Sequence, residues 1–381
     1  MKILFLDQSG KPGGAELCLI DIAKPYRDSC MVGLFADGDF KDLLVQNQIP
    51  VQVLTDRAIQ VRKESSLLQG LSSLTELIPL ISKVATIAKD YDVIYANTQK
   101  ALVIGAIASF LSRRPLVYHL HDILSAEHFS RTNRQIAVNL ANRFASLVIA
   151  NSQATYAAFV EAGGKKDITG IVYNGFESQA YITDKLEVTK IRQNLELDDK
   201  FVIGHFSRLA PWKGQHILIE ALSQSPRKVT VMLVGDALFG EQEYVKQLHQ
   251  QVKDLDLENR VKFLGFRSDI PLLMSACDLV AHTSTSPEPF GRVIVEAMLC
   301  GRPVVAAKAG GAVELVDDGV NGFLVNPGNV EELARVINIC SNNPQNTADI
   351  ASTARESATQ RFDVESINQQ ISDLIGKKLR L

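Results

Sequence analysis

Two glutamates and a glycine surround one predicted helix start in the second half of the chain. Glu288 precedes the helix, Gly291 lies inside its first turn, and Glu296 lies further along it. The first N–H groups of a helix lack partners within the helix and lie at the positive end of its dipole, so they favour a phosphate. A carboxylate on either side of that phosphate can hold hydroxyl groups. A nucleotide-sugar has this layout, because its diphosphate lies between sugar and ribose hydroxyls.

A pair of cations follows the strand predicted at 201–206. Arg208 and Lys213 lie in the turn SRLAPWKG, which ends at Gly214. Two cations at the end of a strand can stabilise the charge that grows on a departing diphosphate, an effect worth about 3 kcal/mol or more per donor in a dry site. The alternative is a basic surface turn in which Lys213 and Gly214 only begin a helix.

The first half offers a glycine-rich loop and two histidines. The loop GKPGGAE at 10–16 follows the first strand, and its glycines allow the backbone to approach a ligand closely, or form only a tight connection. His119 and His121 share one face of a strand end, with no third ligand at metal spacing near them in the sequence. His121 is better placed to reach a ligand, and a structural, hydrogen-bonded histidine is the alternative.

These residues need a framework of strands and helices to position them. Short apolar runs alternate with longer amphipathic segments, which predicts βαβ units and parallel sheets. The polar stretch 177–200 separates two such halves, so ligands are expected at the carboxyl ends of both sheets, in a cleft between two domains. The predicted strands are Ile3–Leu6, Met31–Phe35, Val51–Leu54, Val93–Tyr95, Leu116–Leu120, Leu147–Ala150, Gly170–Tyr173, Phe201–Phe206, Val229–Val234, Val261–Leu264, Leu279–His282, Pro303–Ala306 and Gly322–Val325.

The chain resembles the retaining glycosyltransferases of GT-B fold called family 4, or glycosyl transferases group 1. The C-terminal half matches motif after motif, whereas the N-terminal half matches at the glycine-rich loop and around His121. Ser207 stands where the family usually has a glycine before the arginine, and Arg292 stands where an apolar residue is common. The matching residues are Gly13, Gly14, Ala15, Glu16, His121, Glu288, Phe290, Gly291, Glu296, Gly301, Arg302, Pro303, Val304, Val305, Gly310, Gly311 and Glu314.

The resemblance implies roles for individual residues. Glu288 would bind the transferred sugar and Glu296 the ribose, while Arg292 would add a phosphate contact or face solvent. Backbone atoms near Phe266 would frame the base. The residues implied in catalysis are His121, Arg208, Lys213 and Glu288. Those implied in donor binding are Gly14, Phe266, Phe290, Gly291, Arg292, Val293, Glu296, Gly310 and Gly311.

The implied enzyme is a retaining hexosyltransferase of GT-B fold, an α/β protein with two Rossmann-like, doubly wound domains. Residues 1–185 would bind the acceptor and 186–365 the nucleotide-sugar, with 366–381 forming a helix that returns to the first domain. The acceptor would offer a hydroxyl of a glycan, a lipid or a small molecule. The alternatives are a sugar-nucleotide epimerase or phosphorylase of the same architecture, and a non-catalytic module that binds sugar or nucleotide.

The composition limits the classes of partner and the cellular location that are expected. Among 381 residues the net charge is −3 and no basic stretch is interleaved with aromatics, so nucleic acid is not expected. Five scattered cysteines, with no signal peptide or long apolar run, fit reduced thiols and a cytoplasmic protein. Arg57, Arg62 and Lys63 leave peripheral contact with anionic lipid open. Two Asp-x-Asp sequences, at 37–39 and 254–256, lack a metal-site pattern, so neither a metal nor a cofactor beyond the nucleotide-sugar is expected.

Overall fold

The structure is a computed structural model that describes residues 1–55, 67–125, 129–237 and 240–379. The chain forms two compact units. The first comprises Met1–Gly175 and Val364–Leu381, and the second comprises Phe176–Asp363. The boundary predicted after residue 185 lies inside the second unit. Arg57, Arg62 and Lys63 lie outside the described residues.

The first unit contains a parallel sheet of seven strands. Their order is β3-β2-β1-β4-β5-β6-β7, and in this register Phe5 lies opposite both Val32 and Tyr95. Both faces of the sheet are covered, so its central strands are apolar on both sides. The strands are β1 (Ile3–Asp7), β2 (Cys30–Leu34), β3 (Val51–Val53), β4 (Val93–Ala96), β5 (Leu116–Leu120), β6 (Ala145–Ala150) and β7 (Thr169–Ile171).

Helices connect these strands and cover the sheet. Several begin at a side-chain cap, such as Thr98, whose hydroxyl accepts a hydrogen bond from the backbone N–H of Ala101. The helices of this part of the chain are α1 (Gly14–Ala23), α2 (Asp39–Gln46), α3 (Leu67–Ala88), α4 (Gln99–Ser112), α5 (Arg131–Phe144) and α6 (Gln153–Glu161).

The second unit contains a parallel sheet of six strands in the order β10-β9-β8-β11-β12-β13. Its strands are β8 (Phe201–Phe206), β9 (Val229–Val234), β10 (Val261–Gly265), β11 (Leu279–His282), β12 (Val304–Ala307) and β13 (Phe323–Val325). Its helices are α7 (Lys185–Asn194), α8 (Gln215–Ser223), α9 (Gln242–Asp254), α10 (Ile270–Ser275), α11 (Arg292–Leu299), α12 (Ala312–Leu315), α13 (Val330–Asn342) and α14 (Pro344–Arg361).

The last helix, α15 (Val364–Leu379), belongs to the first unit. Its buried residues Ile367, Ile371 and Ile375 recur at helical spacing and join the core beside β1 and β6. The Asn368 amide donates a hydrogen bond to the backbone carbonyl of Asp21 in α1 at 2.9 Å. This apolar stripe explains why the end of the chain packs on the first sheet.

The predicted class, two doubly wound α/β units with parallel sheets, is confirmed. Each of the predicted strand segments overlaps an observed strand. The five cysteines are free thiols, and all are buried. No helix within the described residues is both long enough and apolar enough to cross a bilayer.

Candidate functional site

Glu288 is the centre of the site in the second unit. It lies in the proline-rich loop that follows β11, with only 9% of its surface exposed. Its Oε1 atom accepts a hydrogen bond from the Lys213 ammonium at 2.6 Å and another from the Ser284 hydroxyl. His282 Nε2 also lies 2.9 Å from Oε1, in a close but poorly aligned contact. Three polar groups therefore converge on one carboxylate oxygen.

These contacts keep Glu288 ionised despite its burial. Burial alone would raise the pKa of the carboxyl, but the positive charge of Lys213 and the contact with His282 outweigh it and hold the pKa well below its usual value. The second oxygen, Oε2, has no polar partner among the described residues. An ionised carboxylate with one anchored and one unoccupied oxygen can accept hydrogen bonds from a ligand's hydroxyls.

Lys213 is held by its own turn as well as by Glu288. Its ammonium lies 4.2 Å from the centre of the Trp212 ring, and the Arg208 guanidinium lies 5.5 Å from the same ring. Gly214, which follows, has φ +73, and a Cβ there would lie 2.0 Å from the Thr283 carbonyl oxygen. The turn therefore requires glycine, and both predicted cations share one aromatic support.

Gly310 and Gly311 pack behind the Glu288 loop. A Cβ on Gly310, where φ is +60, would lie 2.2 Å from the Glu288 carbonyl oxygen, and one on Gly311 would lie 2.6 Å from that of Pro289. The Gly311 N–H donates a hydrogen bond to the Glu288 carbonyl at 2.8 Å. These glycines, predicted near the sugar and phosphate, thus fix the backbone of the loop that carries the carboxylate.

Helix α11 begins directly after this loop. Gly291 is its N-cap residue with φ +97, a left-handed conformation that favours glycine, and Val293 is half-buried in the first turn. Glu296 is also largely buried, and burial raises its pKa although Arg292 opposes that effect. The N-terminal N–H groups of α11 and Glu296 therefore lie on the same short helix, as predicted.

Two other predicted residues have side chains turned toward the protein. Arg292 does not face solvent: its guanidinium lies 4.4 Å from the centre of the Phe176 ring, and its Nε forms an ion pair with Glu296 at 3.4 Å. Phe290 is buried, stacks on Phe176 and meets the edge of Phe362. In contrast, Phe266 after β10 exposes 77% of its surface.

In the first unit, Gly14 begins helix α1 and is exposed. The helix is capped by Glu16, whose carboxylate accepts a hydrogen bond from the Gly13 N–H at 2.9 Å. His121 follows β5, and its Nε2 lies 2.9 Å from Oδ1 of Asn97. The ring of His121 lies against that of His119, with ring centres 3.9 Å apart.

One cluster of metal-ligating residue types occurs in the described part of the chain, formed by Cys18, His119 and His121. Cys18 is a third residue of a metal-binding type, and it lies far from both histidines in the sequence. The two histidine rings are tilted by 41°, and their centres lie 3.9 Å apart. His119 Nδ1 also faces the Tyr95 hydroxyl at 2.8 Å. The aspartates of both Asp-x-Asp sequences are exposed.

Sequence reasoning missed four residues that support the site. Trp212, His282 and Ser284 contact Lys213 or Glu288, and Asn97 contacts His121. Two of them carry a signal that was available: His282 ends β11 and Asn97 directly follows β4, so each is a polar residue at the carboxyl end of a parallel strand.

Two family descriptions match the chain. "Glycosyltransferase Family 4" matches residues 12–179, and "Glycosyl transferases group 1" matches residues 187–357. Among curated proteins, the lipopolysaccharide core biosynthesis glycosyltransferase LpsE of Rhizobium meliloti is 34% identical over 181 residues, which are 47% of this chain and 51% of LpsE. The chain thus spans about half the length of that relative.

Solved structures match the whole chain. Crystal structures of HepE from Anabaena, in complex with UDP, with UDP-glucose, and with UDP and glucose, are 66% identical to it. The UDP-glucose complex aligns with a TM-score of 0.92 over 99% of this chain and 100% of HepE. A glycosyltransferase from Rickettsia africae, 20% identical, aligns with a TM-score of 0.86 over 99% of this chain and 98% of that protein, and shows the same fold.

Proposed function

Because this chain belongs to the glycosyl transferases group 1 family and is a glycosyltransferase with a nucleotide-sugar donor, we propose that it transfers glucose from UDP-glucose to an acceptor hydroxyl with retention of configuration. The HepE complexes with UDP and UDP-glucose support this donor. The acceptor is a glycan, a lipid-linked glycan or a small molecule, and the enzyme acts in the cytoplasm.

The observation that carries this proposal is the state of Glu288. Its Oε1 is anchored by Lys213 and Ser284, and its Oε2 has no partner among the described residues. An ionised, buried and pre-positioned carboxylate is suited to accept hydrogen bonds from the hydroxyls of the transferred sugar. Glu296 then accepts hydrogen bonds from the ribose, and the start of α11 at Gly291 receives the diphosphate.

Arg208 and Lys213 stabilise the departing diphosphate. The Lys213 ammonium has three donors, and the one used by Glu288 leaves two for phosphate oxygens. Arg208 adds a second permanent cation, which lies 5.5 Å from the centre of the same Trp212 ring. Since two cations and a helix N-terminus neutralise the growing charge, the reaction needs no bound metal, and EDTA should leave turnover unchanged.

Retention follows from attack on the face from which UDP departs. The bond between the anomeric carbon and the diphosphate oxygen breaks, and the acceptor oxygen forms its bond to that carbon on the same side. The acceptor's proton passes to the departing diphosphate, so the transfer needs no nucleophile from the protein. His121 and Gly14, in the first unit, are proposed to contact the donor sugar and its diphosphate.

The test is a donor screen with turnover. Purified protein is incubated with UDP-, GDP- or ADP-glucose and a panel of acceptors, and thermal stabilisation, diphosphate release and the anomeric NMR signal of the product are measured. Selective stabilisation by UDP-glucose and an α-linked product are expected. A β-linked product would overturn retention, and stabilisation by another nucleotide-sugar alone would overturn the donor.

Two variants separate an enzyme from a binding module. Lys213→Ala should abolish most turnover, whereas Lys246→Ala, which removes an exposed lysine paired with Glu243, should not change it. If the wild-type protein binds UDP-glucose and no acceptor gives turnover above that of Lys213→Ala, the protein binds donor without transferring it.

A further inference from the structure

Three neighbouring strands of the first sheet end in polar residues that contact one another. Asp7 ends β1, Asn97 follows β4, and His121 follows β5, and these strands are adjacent in the order β1-β4-β5. Asp7 and Asn97 have no exposed surface. Parallel strands that end at the same edge of the sheet thus bring a carboxylate, an amide and an imidazole into a row.

The orientation of the Asn97 amide is determined by what its nitrogen contacts. Nδ2 donates hydrogen bonds to Asp7 Oδ2 at 2.7 Å and to the Ala15 carbonyl at 3.1 Å. Both contacts are acceptors, so the NH₂ group must occupy this side of the amide. The other Asp7 oxygen accepts a hydrogen bond from the Ser9 N–H at 2.8 Å, which fixes the carboxylate itself.

The amide oxygen of Asn97 therefore faces His121, at 2.9 Å from Nε2. An amide oxygen only accepts hydrogen bonds, so Nε2 of His121 must carry the proton. In the neutral imidazole the other ring nitrogen, Nδ1, is then an acceptor. The adjacent His119 ring, 3.9 Å away between centres, restricts rotation of the His121 ring.

We propose that Asn97 and Asp7 are positioning residues for glycosyl transfer, which hold His121 as the Nε2–H tautomer so that Nδ1 accepts a hydrogen bond from a hydroxyl of the donor sugar. This inference rests on the proposed contact between His121 and the donor. Asn97 acts on the ring directly, and Asp7 acts on it through the amide. Neither residue touches the donor in this scheme.

The decisive variant is Asp7→Asn, which keeps the size of the side chain. The Ser9 N–H still holds the remaining oxygen, so the new NH₂ group faces Asn97. Only the Ala15 carbonyl then supports the original orientation of the Asn97 amide, so part of the population should turn. The turned amide presents NH₂ to His121, whose Nε2 must then accept. We expect side-chain nitrogen NMR of the full chain to show Nε2–H in the wild type and a shift toward Nδ1–H in Asp7→Asn. The kcat/KM for UDP-glucose should fall about tenfold, the value of one hydrogen bond.

A control and a second variant keep the test decisive. Asn151→Ala removes a comparably buried amide at the end of neighbouring β6, where it contacts Thr155, and should leave the His121 tautomer unchanged. If Asp7→Asn does not fold, Asn97→Ala replaces it, and a mixture of tautomers is expected. A pure Nε2–H signal in whichever variant folds would overturn the inference.

The same experiment distinguishes this inference from the proposed function. If His121→Ala retains the wild-type kcat/KM, the proposed contact of His121 with the donor is wrong. In that case the NMR result still shows whether Asn97 determines the tautomer. If His121→Ala is inactive and the tautomer is unchanged in Asp7→Asn, the contact holds and the positioning roles are wrong.

Discussion

Replacement of Lys213 by methionine tests the central ion pair of the second unit. Methionine keeps most of the length of the side chain and removes its charge, so Glu288 would retain only Ser284 and His282 as polar neighbours. The side chains of Lys213 and Glu288 are 16% and 11% exposed, so water cannot replace the lost partner fully. The folded state should therefore lose stability as well as activity.

The size of this loss follows from the burial of the pair. Removal of one partner of a buried ion pair costs about 3–5 kcal/mol, because the other charge remains without compensation. The lower end, about 3 kcal/mol, applies here because Ser284 still donates to the same Glu288 oxygen. For a unit of this size, that corresponds to a fall in melting temperature of about 6–12 °C.

Trp212 makes the assay specific for this unit. It is the only tryptophan of the chain and lies 4.2 Å from the Lys213 ammonium, so its fluorescence follows unfolding of the second unit in urea. The matched control is Lys246→Met, which breaks an ion pair with Glu243 whose side chains are 75% and 70% exposed. An exposed pair contributes about 0–1 kcal/mol, so the control should unfold nearly as the wild type does.

Two further measurements could refute the reasoning. Adding Glu288→Gln to Lys213→Met should restore most of the lost stability, because no buried charge is then left unpaired. The pKa of Glu288 is depressed in the folded state, so the pair stabilises the protein above the unfolded pKa of about 4.5 and loses this effect as the pH falls. Wild type and Lys213→Met should therefore converge in acid. Equal unfolding of both lysine variants at neutral pH would contradict the ion-pair account.

Three other predictions concern the loop, the first unit and its surface. Gly311→Ala places a Cβ against the backbone of the loop after Glu288, so the Kd for UDP-glucose, measured by calorimetry, should rise about tenfold or more if the loop shifts. Burial and the nearby Asp7 raise the pKa of Glu16 to about 7. The contribution of Glu16 to stability is therefore present below about pH 4.5 and is lost as the pH rises through 7. Relative to the wild type, Glu16→Gln should thus gain melting temperature between pH 5 and pH 8. Phe110 and Leu111 at the end of α4 are 71% and 55% exposed. The wild type should therefore float with anionic vesicles, and the variant with serine at both positions should not. If the wild type does not float, this membrane contact is excluded.

The strands were predictable because their signal is local. Most strands of both sheets are short branched apolar runs, since parallel strands covered on both faces carry apolar residues on both faces. The edge strands β3 and β7 are only three residues long and have no fully buried residue. Helix α14 gave a much weaker signal, although it has 18 residues. Its buried face consists largely of Ala351, Ala354 and Ala358, small residues that hardly distinguish a packed face from an exposed one. The predicted linker likewise contains α7, a polar helix with no fully buried residue.

The site was predictable only where one segment carries it. Glu288, Gly291 and Glu296 occur in a single loop and helix, so their spacing is visible in the sequence. The contact between Lys213 and Glu288 joins residues far apart in the chain, and periodicity contains no information about it. In the sequence His282 is only the last residue of an apolar strand, and its contact with Glu288 depends on a loop that folds back onto the strand end.

The contacts around Glu288 connect the stability of the second unit with its proposed chemistry. Gly310 and Gly311 hold the loop backbone from behind, while Lys213 and Ser284 hold one carboxylate oxygen from the front. All of these contacts are made by the protein's own residues, so folding itself orients the carboxylate and keeps it ionised. A group that is already oriented and charged needs little reorganisation when the transition state forms, which is the condition under which electrostatic stabilisation is most effective. The rigidity of the loop is therefore part of the proposed chemistry, and substitutions that only loosen Gly310 or Gly311 should lower kcat even where every polar side chain remains.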